Sequence, residues 1–535
     1  MQGEMSRPTS AHLEGGHQQF SRAEEFSYPQ LLAAMGSSSA YPGHPRVVVH
    51  ETHASWTFVA GARTYKIKKP LALGFLDYSS LATRHAACRE EVRVNQDLAP
   101  GIYLGVRAIL AGREGFRLAG EDAPGAVEYA VEMRTFDERD TLAGLIEAGR
   151  LTREVLERVA RLLADFHRSA PVARGWGQDR VREAWQKNLA ELAATAHPKS
   201  WRLDVVHAFA DAFVEARAAE LRRRAALGLA RDGHGDLRCE HVLADSTLAF
   251  VDRVEFDPGL RRIDVACDLA FLTMDLEAQG QRWAARILVD AYRDAGLCPG
   301  SEQLRSFYGA HWALVRAKVA LIAAAGRAAG PAASQLRSAQ RLWSLSERLC
   351  WRARMPLAIV ICGPAASGKS VLAAELARRS ELPLICSDEV RRRLAEMRAG
   401  ERGRPEHYRA SFTQRTYGEL AREAGLALDR GGGVIIDATC RSRADRAPLL
   451  RRLRATRSRC LAVRCEVPLA LALERARRRL DDAARLSDAT PRIAEEQFRA
   501  FEEIDELPAA NVLRLDTAKP LEDQLAELAL GVDAA

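Results

Sequence analysis

Short apolar runs, each followed by a longer mixed stretch, organise the C-terminal third of this chain. Leu357-Ala358-Ile359-Val360-Ile361 has no polar position, the pattern of a strand buried on both faces of a parallel sheet. Leu382–Cys386, Val434–Ile436 and Cys460–Cys465 share that character, and helical segments such as Val371–Arg379 lie between the runs. The alternation predicts a helix-covered parallel sheet from about residue 355 onward. Nearer the N-terminus, Ser55–Val59 and Thr64–Lys68 read as paired strands around Ala60–Arg63, in a segment of α+β character from about 25 to about 140. A helix-rich stretch then runs to about 345, interrupted near 232–268.

A chain of 535 residues is too long for one core. The expected division is a disordered tail over 1–24, a first folded region over 25–345 and a second over 355–535. Met1–Phe20 lacks the apolar core of a secretory signal. No run approaches about 18 apolar residues, so no membrane span is expected. Ten cysteines are scattered without a C-x-x-C pair, which points to reduced thiols in a cytoplasm and away from zinc. The net charge is only +7, and runs such as Arg391–Arg393 and Arg477–Arg479 read as solvated helix faces, so nucleic acid is not expected as the main partner.

The chemistry concentrates first at Gly363-Pro364-Ala365-Ala366-Ser367-Gly368-Lys369-Ser370, placed between a strand and a helix. A loop of this type turns backbone N–H groups toward a phosphate at a positive helix N-terminus. Lys369 can reach the outer phosphates, and the Ser370 hydroxyl can hold Mg²⁺. Asp437 and Asp388 both follow apolar runs, at expected strand ends where a parallel sheet binds its ligands. Asp437 suits the metal-organising role and Asp388 the base for an acceptor hydroxyl, although either could instead cap the following helix. An arginine-rich segment offers Arg475, Arg478, Arg479 and Arg485 as lid residues that neutralise the moving phosphoryl group, with Arg478 assigned to the nucleotide. On these residues, 355–535 resembles the small P-loop kinases of the gluconate kinase, chloramphenicol phosphotransferase and zeta-toxin type.

A second signature reads His234-Gly235-Asp236-Leu237-Arg238-Cys239-Glu240-His241, with Asp252 following Asp236 by 16 residues and Glu255-Phe256 just beyond. It resembles the catalytic loop and metal-binding aspartate of the aminoglycoside phosphotransferase family, itself similar to protein kinases. The resemblance implies that Asp236 accepts the acceptor's hydroxyl proton and that Asp252 holds Mg²⁺. His241 stands at a metal position where that family has Asn, and imidazole is a poorer partner for this hard cation. Asp268 is expected to cap a helix or brace the loop, and His167 to serve packing. Kinase-like folds need a strand lysine paired with a helix glutamate. Lys66 and Lys68 share one strand face, Lys68 being the first choice, with Glu90 or Glu91 as partner. A basic edge strand is the plainer alternative. No G-x-G-x-x-G loop is present; His53-Ala54-Ser55 occupies roughly that place.

The combination resembles bacterial proteins described as bifunctional aminoglycoside phosphotransferase/ATP-binding proteins. It implies a multidomain fold, with a protein-kinase-like α+β domain followed by a P-loop α/β domain with a parallel sheet. The implied cofactors are ATP and Mg²⁺, and the implied partner is a small-molecule hydroxyl acceptor. Two other classes stay open: a regulatory ATP-binding protein with an inactive kinase-like domain, and a nucleic-acid end kinase.

Overall fold

A computed structural model describes residues 27–535 apart from 53, 74–75, 113–114, 246, 326–328, 399–400, 402, 457 and 479–489. The expected tail over 1–24, His53, Arg479 and Arg485 lie outside the described residues. The chain forms two compact units: residues up to Thr141 together with Ser246–Pro258, and Leu142–Asp245 together with Gly259–Ala535.

In the smaller unit, helix α1 (Tyr28–Met35), capped by Ser27, precedes a six-stranded antiparallel sheet. Its strands are β1 (Val47–Glu51), β2 (Ser55–Ala60), β3 (Arg63–Lys68), β4 (Tyr103–Gly112), β5 (Gly115–Gly120) and β6 (Ala126–Arg134). Their order across the sheet is β1-β2-β3-β6-β4-β5. The hairpin foreseen in the sequence is present, with Ser55 opposite Lys68 and Ala60 opposite Arg63. Gly61 at φ +62° supplies the left-handed residue that its two-residue turn requires. Alternation along β3 sends Tyr65 and Ile67 into a core with Phe58, Leu31 and Met35, which leaves Lys66 and Lys68 on the opposite face. Helix α2 (Leu81–Asn95), opened by a Ser80–Thr83 capping box, presents Glu91 to both lysines.

The larger unit opens with a short helix, Leu142–Glu147, and continues through α3 (Arg153–Ser169), α4 (Gln178–Ala193), α5 (Leu203–Ala216) and a shorter helix, Ala218–Ala226. A short antiparallel ladder, β7 (Ala230–Asp232) with β8 (Arg262–Asp264), brackets the 234–241 segment. Helices α6 (Val265–Ala278), α7 (Arg282–Asp294), α8 (Glu302–Ala325) and α9 (Ala329–Ala353) complete the helical part. Asp264 caps α6 and takes a buried bidentate contact from Arg224, at 2.6 and 2.7 Å.

The expected parallel sheet follows, in the order β10 (Leu384–Cys386), β11 (Gly433–Asp437), β9 (Leu357–Cys362), β12 (Arg459–Glu466), β13 (Val512–Asp516). All six residues of β9 are buried because both faces are covered. Ile359 and Ile361 pack with Leu372 and Leu376, while Ala358 and Val360 pack with Leu420 and Ala424. Strand β10 starts two residues later than expected: Pro383 has no N–H, although its carbonyl accepts from Ile435. The edge strand β13 was not foreseen. Arg354 ties the C-terminal helix Leu521–Ala534 to α5, donating to Asp533 at 2.7 and 2.6 Å while stacking over Phe209 at 4.4 Å. The fold is therefore multidomain, an α+β part with an antiparallel sheet followed by an α/β part with a parallel sheet.

Candidate functional site

Strand β9 runs directly into the glycine-rich loop, and helix α10 (Lys369–Ser380) leaves it. Gly363, Ala366 and Gly368 have φ of +152°, +63° and +90°, so the backbone reverses hand repeatedly and its N–H groups converge. A Cβ on Gly363 would lie 2.6 Å from Ser367 Oγ and 3.0 Å from the Cys465 carbonyl oxygen, which only glycine avoids. Gly368 is the N-cap of α10, and no side chain caps it, so the helix presents its first amides to an incoming anion. From behind, Thr517 Oγ1 donates to the Ser367 carbonyl at 2.6 Å, and Gly363 N–H donates to the Thr439 carbonyl at 3.2 Å. Lys369 Nζ rests on the Pro364 carbonyl at 3.4 Å, and Ser370 is exposed at the helix start. Gln497, on helix α15 (Pro491–Arg499; α11 to α14 are Ser387–Leu394, Ala410–Asp429, Arg443–Ala455 and Leu469–Arg478), accepts from Ala365 N–H at 2.7 Å.

Asp437 ends β11 opposite Ile361, two residues before the loop begins. Its side chain is buried; Oδ2 lies 3.9 Å from Cys386 Sγ, and Oδ1 has no hydrogen-bond partner among the described residues. A buried, orphaned carboxylate oxygen beside an anion cradle fits Mg²⁺, which takes oxygen ligands, and the Ser370 hydroxyl offers a second. Asp388 is not at the strand end. Helix α11 starts immediately after β10 with Cys386 as its N-cap, so Asp388 lies half-buried in the first helical turn and does not cap it.

Of the two lid arginines among the described residues, Arg475 is brought to the loop: Nη2 donates to the Thr517 carbonyl at 2.9 Å, and Nη1 lies 3.4 Å from where a Cβ on Gly368 would sit. The assignment of Arg478 does not fit this geometry. Its side chain is 78% exposed and pairs with Glu474 at 2.6 Å, one turn back on the same helix.

The 234–241 segment is braced from below. Asp268 Oδ2 accepts from His234 N–H at 2.5 Å, Oδ1 accepts from Gly235 N–H at 2.9 Å, and His167 Nε2 lies 3.2 Å from Oδ2. Asp268 thus braces the loop while Asp264 caps α6, and His167, with Nδ1 2.7 Å from the Tyr292 hydroxyl, serves packing. Asp236 takes a fork from Arg238, at 3.0 and 3.1 Å. Burial raises the Asp236 pKa, but the charge and hydrogen bonds of Arg238 work against it, and the carboxyl is held below its usual range. His241 Nδ1 donates to the Asp236 carbonyl at 2.7 Å, and Nε2 accepts from Arg238 Nη2 at 2.9 Å. Both ring nitrogens are engaged, and the second faces a guanidinium, so this arrangement leaves no lone pair for the metal expected at His241.

In the smaller unit, Lys66 Nζ bridges Glu91 at 2.9 Å and Asp252 at 2.6 Å. Lys68 Nζ bridges Glu91 and Glu255, and Glu255 also accepts from Tyr78 at 3.0 Å. Glu90 turns away to Arg93. Burial alone would lower both lysine pKa values, yet the carboxylates around them raise both; Glu91 is lowered by the same contacts. Lys68 is 2% exposed and Lys66 17%, so only Lys66 has an open side. Asp252 sits at φ +61°, a strained position for a non-glycine residue, and its N–H donates to the Tyr103 hydroxyl at 2.9 Å. Thr517, Gln497 and Tyr103 have no motif around them, and sequence reasoning did not single them out. Arg238 was visible only as part of its motif.

A Mycobacterium tuberculosis protein, uncharacterized protein Rv2004c, is 32% identical over 479 residues, covering 86% of this chain and 91% of that one. The chain belongs to the Rv2004c family. Uncharacterized protein Mb2027c of Mycobacterium bovis matches with the same identity and coverage. Within the Rv2004c-like chain, the AAA domain family AAA_33 matches residues 359–504, which hold the phosphate loop, Asp437 and Gln497 but stop short of Thr517. Among solved structures, a gluconokinase from Sinorhizobium meliloti is 16% identical and covers 33% of this chain and 91% of its own, with a TM-score of 0.25. A choline/ethanolamine kinase family protein from Mesorhizobium loti is 14% identical and covers 60% and 99%, with a TM-score of 0.35. No described helix is long and apolar enough to cross a membrane.

Proposed function

We propose that the protein is an ATP- and Mg²⁺-dependent phosphotransferase that moves the γ-phosphate to a hydroxyl of a small molecule. In this reading 355–535 is a small kinase domain and 25–345 a phosphotransferase-like domain with its own nucleotide. The observation that carries it is the open amide cradle at Gly363–Ser370 beside the buried Oδ1 of Asp437, which has no hydrogen-bond partner among the described residues. Phosphoryl transfer asks a protein for positioning and charge neutralisation, and those are the parts assembled here. Lys369 and Arg475 would counter phosphate charge, Ser370 and Asp437 would hold the metal, and Asp388 would take the acceptor's proton. A bound magnesium ion would supply neutralisation of the phosphate oxygens. In the first domain Asp236 would take the acceptor's proton, Asp252 would hold metal, and Lys66, the half-open lysine, would touch phosphate while Lys68 stays structural.

ATP turnover in wild type, Lys369→Ala and Asp236→Ala tests this. The Lys369→Ala protein should lose the C-terminal activity, and two working sites would leave partial activity in each variant. If wild type binds no purine nucleotide in the presence of Mg²⁺, the reading is wrong. A second reading, a regulatory protein with an inactive first domain, is favoured by one observation: His241 has both nitrogens committed. It predicts that Asp236→Ala leaves turnover unchanged.

A further inference from the structure

Helices α6, α7, α8 and α9 enclose a cleft of about 250 Å³, lined by no residue of the phosphate loop or of the 234–241 segment. Its inner wall is apolar, with Met274, Val289 and Leu349 all buried. The lining also carries four arginines and three carboxylates, so the charges do not cancel. Arg352 is committed to Glu277 at 2.8 and 3.1 Å, and Arg293 to Asp290 at 2.9 Å. That leaves Arg286 and Arg305 facing the cleft with Glu302 as the one remaining carboxylate, and neither arginine forms an ion pair among the described residues. Arg305 Nη1 donates to the Gly300 carbonyl at 2.5 Å, which holds one edge of the guanidinium and commits one of its five donors. Burial pushes the Arg305 guanidinium below the ordinary arginine range, although Glu302 and Asp290 act against it.

We propose that this cleft is an effector site for a small organic oxyanion, whose headgroup is held by Arg286 and Arg305 and whose apolar body lies against Met274, Val289 and Leu349. A guanidinium fork suits a phosphate or a carboxylate equally, and the volume limits the ligand to a small metabolite. The link to chemistry is α6 itself. Met274 and Glu277 line the cleft, while on the same helix Asp268 holds His234 and Gly235, and Asp275 accepts from Cys239 N–H at 2.8 Å. A ligand seated on α6 therefore bears on the helix that supports the 234–241 segment. The inference does not depend on Asp236 being catalytic.

Hydrogen exchange on the full chain tests it, with magnesium and a non-hydrolysable ATP analogue saturating any nucleotide site, and with phenylphosphonate and benzoate as probes. Either anion should slow exchange in α6–α8 and in 234–241, and the tighter one names the headgroup. Arg305→Met and Arg286→Met should each raise the half-saturating concentration by about tenfold or more, as expected for losing one charge-assisted contact. Arg286 is exposed, so its variant has no reason to unfold. Lys369→Ala should leave the effect intact. The proposal is overturned by no protection at about 10 mM anion, by equal protection with uncharged benzyl alcohol, or by loss of the effect in Lys369→Ala. Protection confined to the cleft with none at 234–241 also refutes the effector role.

Discussion

Replacing Lys68 by Met should damage the fold of the smaller unit, whereas replacing Lys66 should damage it far less. Lys68 is 2% exposed, and its two partners, Glu91 and Glu255, are 0% and 9% exposed. Removing one member of a buried ion pair costs about 3–5 kcal/mol, because the stranded charge stays out of water. Lys66 would still neutralise Glu91, which places Lys68→Met near the lower figure, about 3 kcal/mol or roughly a hundredfold in an opening equilibrium. In Lys66→Met, Glu91 keeps Lys68 and Asp252 is 41% exposed, so the cost should be about 1 kcal/mol, as for partly solvated pairs. Amide exchange of α2 peptides in the full chain reads the difference, since exchange rates there follow the local opening free energy. Lys68→Met should speed α2 exchange about a hundredfold and Lys66→Met less than tenfold. Equal acceleration in the two variants, or a larger effect from Lys66→Met, would refute the division between a structural and a functional lysine.

Asp437→Asn should raise the magnesium concentration needed for nucleotide binding by about tenfold while leaving the thermal midpoint near wild type, read by titrating Mg²⁺ at fixed nucleotide. Arg475→Met should lower turnover by about tenfold or more, and Arg478→Met should leave it within about twofold, a comparison steady-state kinetics makes directly. His311 packs 5.3 Å from both Trp185 and Trp312, and burial, with Lys318 adding, pushes its pKa down to about 3 from 6.5. The unfolded chain therefore takes up a proton below the ordinary histidine value that the folded ring refuses. This contribution is complete above pH 6.5 and is lost as pH falls toward 3. His311→Gln should flatten the acid limb of the unfolding free energy from urea titrations by up to about 1.4 kcal/mol per pH unit, and an unchanged slope would count against the assignment.

The parallel sheet was legible because strands buried on both faces need apolar residues at every position, so Leu357–Ile361 and Val434–Ile436 are unbroken runs. The phosphate loop was legible because its backbone reversals demand glycine at fixed places. Other features depend on residues far apart in sequence. Thr517 and Gln497 reach the loop from 150 and 132 positions away, and nothing local marks them. Lys66 and Lys68 look alike on one strand face, and only their partners Asp252 and Glu255, nearly 190 residues on, tell them apart. Arg475 and Arg478 differ by less than one helical turn, yet one meets the loop and the other meets solvent. That Ser246–Pro258 packs with residues up to Thr141 likewise has no signature in its own composition.

Thr517 stands directly after β13, and its hydroxyl is a rear support of the glycine loop. During synthesis the loop emerges long before that support exists. Until the edge strand is added to the sheet, Ser367 has no hydroxyl behind its carbonyl and Arg475 has no carbonyl to rest on. Nucleotide capture should therefore begin late in translation, so nascent chains that stop before residue 512 should carry the full signature sequence and still fail to retain ATP.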